Sequence, residues 1–109
     1  MLREAIIVSE GTLRNEDLIP AFLHALEARL DEVEAQGHDT AHMRRYIREI
    51  EERIETVPDY YGTDDANWDL AGLFDALNDY APEGMRFGAH EGDGALYGFW
   101  PEEDEEEDE

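Results

Sequence analysis

An α+β fold is predicted, in the order β-α-α-α-β-β, with a small antiparallel sheet and helices packed on one face. Three observations predict it. A short β-branched run opens the chain, three segments repeat apolar residues every three or four positions, and two alternating, glycine-punctuated runs close it as a hairpin.

Residues 4–9 (EAIIVS) read as a strand. They are apolar on both parities, which predicts burial on both faces. Gly11 and Thr12 end it. Leu18, Phe22, Leu26, Leu30 and Val33 then mark one helical stripe. Asn15 or Asp17 can cap this helix. Pro20 favours Asp17, since the ring then falls where the missing N–H removes no intrahelical bond. Gly37 suits a left-handed C-terminal residue. Asp39 or Thr40 opens a second helix, whose Met43, Ile47, Ile50, Ile54 and Val57 form a heptad-like seam. The short QGHD connection predicts an antiparallel helical hairpin. After the loop PDYYGT, Asp64 or Asp65 opens a third helix, with Leu70, Leu73, Phe74, Leu77 and Tyr80 apolar and Pro82 and Gly84 as stops.

The closing segment reads MRFGAH, the turn EGDG, then ALYGFW. Pairing His90 with Ala95 puts Met85, Phe87, Ala89, Leu96, Gly98 and Trp100 on the core face. Arg86, Gly88, His90, Tyr97 and Phe99 then face outward, an unusually aromatic solvent face. The first strand is expected to join this hairpin.

The chain has 109 residues, with 30 Asp/Glu against 8 basic residues and a formal net charge of −22. One domain is expected over 1–101. The segment 102–109 is acidic throughout and lacks any apolar residue, so it reads as a disordered tail. Without it the charge is still −14, from 22 acidic and 8 basic residues. Such a balance opposes direct contact with nucleic acid or an anionic membrane. The absence of Cys excludes a disulfide framework or a thiolate metal site. No apolar run approaches the ~20 residues that span a bilayer, and the N-terminus lacks the apolar region of a secretory signal.

The segments TLRNEDLIPAFLHALE and LFDALNDYAPEGMRFGAHEGDGALYGFWP are similar to blocks of a group of small acidic proteins of actinobacteriophages and related viruses. Those blocks follow TLR-x-EDL-x-PAF and FGAH-x-GDGA-x-YGFW. The resemblance covers roughly the first and last thirds of the chain, with the middle helices matching less well. It implies a viral origin and the cytoplasm of an infected host. It supplies no catalytic or binding residues. A basic complement made only of Arg agrees with a GC-rich genome.

No catalytic motif stands out, and a non-enzymatic protein without cofactor or metal is expected. Ser9 is the only Ser and lacks a nucleophile-elbow context. His38 and His42 are four apart, but Gly37 and Asp39 place a helix start between them. HEGDG has the composition of a tight turn, without the Lys-Ser/Thr of a phosphate loop. Arg44, Arg45, Arg48 and Arg53 form a cluster, expected to pair within the helix as Arg45–Glu49, Arg48–Glu52 and Glu49–Arg53.

The candidate site is therefore the acidic surface. Glu27, Asp31 and Glu34 lie opposite the first apolar stripe. Asp65–Asp69 and Asp75–Asp79 make two four-residue steps on the third helix, each rising about 6 Å. Phosphates repeat every ~3.4 Å along a DNA strand, so such rows can imitate them. Trp68 falls on the same side, roughly 160° from the apolar stripe. It is an interface anchor if exposed, and the expected placement is a fold-back under the preceding loop. The expected partner is a basic surface of a host nucleic-acid-binding or defence protein. The alternative is an assembly protein that forms a homodimer through Tyr97 and Phe99, its acidity serving solubility or salt adaptation. Cation binding by the carboxylates is a third reading.

Overall fold

The computed structural model describes residues 5–90 and 92–101. Strand β1 (Ile6–Ser9) is followed by helices α1 (Asn15–Ala35) and α2 (Ala41–Thr56). A single 3-10 turn (Tyr60–Gly62) leads into α3 (Asp64–Asp79), and β2 (Met85–His90) and β3 (Asp93–Pro101) complete the chain. The predicted element order is the observed one. The sheet is antiparallel in the order β1-β3-β2, so β1 joins the hairpin across its last strand. The acidic tail and Glu91 of the turn lie outside the described residues.

Helices α1 and α3 pack on each other and on the sheet, and α2 packs on α1 and the Tyr60–Gly62 turn. The core is built from the predicted stripes: Leu18, Phe22, Leu26 and Leu30 of α1, Ile47 and Ile50 of α2, Leu73 and Leu77 of α3. The helical hairpin closes as its glycine predicted. Gly37 has φ 100°, its N–H reaches the Glu34 carbonyl at 2.9 Å, and the His38 N–H reaches that of Val33 at 3.1 Å. At Gly72 of α3 the Tyr46 side chain of α2 packs closely against the helix backbone. A Cβ there would lie 2.0 Å from the Tyr46 phenol oxygen.

Two local expectations fail. Helix α1 begins at Asn15, with Arg14 rather than Asp17 at the cap position, so Pro20 sits inside the helix. Its missing N–H leaves the Glu16 carbonyl without the i+4 donor. Helix α3 opens at Asp64 as expected, with Thr63 as its cap, the Thr63 Oγ1 accepting from the Ala66 N–H at 3.2 Å; Asp64 and Asp65 both occupy the first turn. Strand β1 is not buried on both faces. It is an edge strand, and Ile6 and Ile7 are each about half exposed.

The hairpin register is also shifted by one. Phe87 pairs with Phe99, Ala89 with Tyr97 and Met85 with Pro101. A one-residue slip exchanges the faces of a strand. Tyr97 and Phe99 therefore point to the helices, and Phe99 is 2% exposed. The predicted outward aromatic face for dimerisation is thus part of the core. Phe22, Phe74 and Phe87 gather around Tyr97 with centroids 5.4–6.4 Å apart, and Phe99 stacks obliquely on Phe87 at 5.2 Å. In this register the core face carries Tyr97 and Phe99, and Gly98 lies on the other face between Leu96 and Trp100. Trp100 lies on the outer face, its indole N–H donating to the Gly88 carbonyl at 2.8 Å. The turn is held by its own side chains. His90 Nδ1 accepts from the Gly92 N–H and Asp93 Oδ1 from the Ala95 N–H.

Candidate functional site

The eight residues singled out in the sequence divide into three environments. Asp31 and Glu34, near the end of α1, are drawn into a clamp around Arg44 of α2. The guanidinium meets Glu34 at 2.8 and 2.9 Å and Asp31 at 2.6 Å. The buried Thr40 hydroxyl also donates to Glu34. Hydrogen bonds from Arg44, then Thr40, lower the Glu34 carboxyl to about 2, well under the usual carboxylate range. Hydrogen bonds to Glu34, then Asp31, raise Arg44. Glu27 is half-buried in the furrow between α1 and α2, beside Arg44, Arg48 and Glu51. Asp31 and Glu34 therefore help hold the helical hairpin through Arg44, and Glu27 lies beside the same Arg cluster.

Asp69 is not on the surface row at all. It is 7% exposed and receives Arg53 at 2.7 and 3.0 Å and the Tyr60 hydroxyl at 2.6 Å. Burial, and then the bond to Asp69, push the Tyr60 phenol above its ordinary range. Arg53 is raised chiefly by its hydrogen bonds to Asp69. This buried network ties α2, the 3-10 turn and α3 together. It also explains why the predicted Glu49–Arg53 pair does not form, since Arg53 is used between elements instead; the predicted Arg45–Glu49 and Arg48–Glu52 pairs are likewise absent from the described ion pairs.

The remaining residues, Asp65, Trp68, Asp75 and Asp79, stay on the surface of α3. None of the carboxylates takes part in an ion pair among the described residues. Trp68 is 75% exposed, against the expectation that it folds under the loop. Its indole starts from a helical position facing away from Leu73 and Leu77, and Tyr60 and Tyr61 already fill the space beneath the loop, one ring against the other at 5.3 Å. At 100° per residue Asp64, Trp68, Ala71, Asp75 and Asp79 share one arc of the helix. Side chains lean toward a helix N-terminus, which brings the indole over the turn holding Asp64 and Asp65.

Sequence reasoning missed Asp64 as part of this face, treating it only as a residue that opens the helix. Thr63 carried the usable signal, because a Thr cap places both following Asp residues in the first turn. It also missed the apolar cleft beside the face, since that depends on the register of β3. Among the described residues, no group of three His, Asp or Glu is placed to hold a metal ion. No described helix is long and apolar enough to cross a membrane. No family model, curated protein or solved structure matches the chain.

Proposed function

We propose that this protein is a non-enzymatic recognition module that occupies a basic surface of another protein, using the acidic, tryptophan-bearing face of α3. Viral origin and a host nucleic-acid-binding or defence protein as target are part of the proposal, carried by the two sequence blocks and the charge. The supporting observation is an asymmetry in how carboxylates are used. Glu16, Asp17, Asp31, Glu32 and Glu34 of α1 pair with Arg14, Arg29 or Arg44, whereas Asp64, Asp65, Asp75 and Asp79, like Glu49, Glu51, Glu52 and Glu55 of α2, have no cationic partner among the described ion pairs, and the α3 set alone flanks the exposed Trp68. An exposed indole on the same arc adds the kind of anchor that interfaces favour.

With Asp69 internal, the face is not a continuous row of charges. It is two acidic pairs roughly 15 Å apart along the helix, with Trp68 and Ala71 between them. That pattern suits discrete Arg or Lys contacts around an apolar anchor. It imitates the charge of a nucleic acid more than its regular spacing.

The test is titration with an arginine-rich peptide at low salt, following amide shifts and Trp68 fluorescence. Shifts centred on α3 are expected, with affinity falling at least about tenfold in Asp65→Lys/Asp75→Lys/Asp79→Lys. Shifts spread evenly over all acidic surfaces, with the variant binding as tightly, would contradict the reading.

A further inference from the structure

An apolar cleft of about 440 Å³ opens beside the acidic face, within the range of about 300–1,000 Å³ usual for binding pockets. Leu18 and Phe22 of α1, Leu70 and Phe74 of α3, and Tyr97 of β3 line it, and Asp75 stands among the lining residues. Leu70 and Phe74 are one helical turn apart. Phe74 and Asp75 are adjacent, so the cleft and the acidic stripe run side by side along α3, about 100° apart around its axis. An apolar floor next to uncompensated carboxylates is complementary to a segment that carries an apolar stripe beside a basic one.

We propose that the cleft receives the apolar side chains of a cationic amphipathic helix of a protein partner, whose Lys or Arg side chains meet Asp75 and Asp79. This rests on the reading of α3 as a site for a basic surface and names the partner's chemistry. Helix-in-groove docking reads anchors at helical spacing, and the parallel course of cleft and stripe along α3 offers both halves of such a ligand a place. Phosphate-bearing or other anionic occupants meet Asp75 at the wall and the acidic stripe beside it, so the charge complementarity selects a cationic one.

The probes are two synthetic Leu/Lys peptides of identical composition. One is ordered with helical amphipathicity, and the other is scrambled so that no apolar stripe forms. Binding to the full chain is followed by calorimetry and by the aromatic resonances of Phe74 and Tyr97. The amphipathic peptide is expected to bind at least about tenfold more tightly and to move those resonances. Ala71 is exposed and borders the cleft, so Ala71→Gln places a longer, helix-compatible side chain across it. This variant is expected to abolish the preference for the amphipathic peptide over the scrambled one. Equal binding of the two peptides overturns the cleft proposal and leaves the charge reading standing. So does a preference that survives Ala71→Gln with no movement of Phe74 or Tyr97. Failure of both peptides to bind at low salt overturns the charge reading, and the cleft proposal with it.

Discussion

Asp69 shows how one carboxylate can leave an acidic surface. Its oxygens take two guanidinium bonds from Arg53 and one from the Tyr60 hydroxyl, all at 2.6–3.0 Å. Removing one partner of a buried ion pair leaves the other uncompensated. Asp69→Asn is expected to destabilise the fold by about 2–4 kcal/mol in denaturant titration, toward the lower end because the Arg53 side chain is one-third exposed. Glu34 is used differently, at the surface end of the helical hairpin. Its carboxyl lies near 2 in the folded chain and about 4.3 when unfolded, so its contribution is present above about 4.3 and is lost as pH falls through about 2. A carbon-detected NMR titration is expected to place Glu34 near 2, and Arg44→Gln should return it toward the ordinary Glu range. In the sequence Asp69 is marked only by bordering the apolar stripe of α3, about 40° from Leu73 around the helix. Its neighbours across space, Arg53 and Tyr60, are 16 and 9 residues away.

The elements were legible wherever local periodicity decides them. Three helices, two strands of a hairpin and an N-terminal strand all follow from spacing and from the Gly37 and Thr40 boundaries. The placement of strands within the sheet was less legible, because it is decided by packing. In β3 both parities carry aromatics, Tyr97 and Phe99 on one and Trp100 on the other, so alternation alone selects no face. Gly98 carries the clue. A Cβ there would come within 2.3 Å of the Ile6 carbonyl, so that position belongs under the β1 backbone rather than in the aromatic core. Gly98→Ala is expected to displace β1, costing about 1–3 kcal/mol. Hydrogen exchange should accelerate at Ile6–Ser9 while α1 and α3 keep their protection; unchanged exchange in β1 would count against this packing. Edge position also accounts for the exposure of Ile6 and Ile7, which pair with β3 on one side only.

Across the whole molecule, the sequence reported the amount of negative charge and left its direction open. Two of the cations, Arg44 and Arg53, bind helices together, and no described ion pair offsets the outward carboxylates of α3. Concentrated charge next to an exposed indole raises the encounter rate with a basic surface and makes the complex sensitive to ionic strength. Acidity spent only on solvation carries no such preference for one face. The most direct measurement is therefore the salt dependence of arginine-rich peptide binding, compared between the wild-type chain and Asp65→Lys/Asp75→Lys/Asp79→Lys. A steep loss of affinity with salt in the wild type, and a weak, shallow response in the variant, is the predicted result. Equal affinity and equal salt dependence in the two would contradict the assignment of α3 as the recognition face.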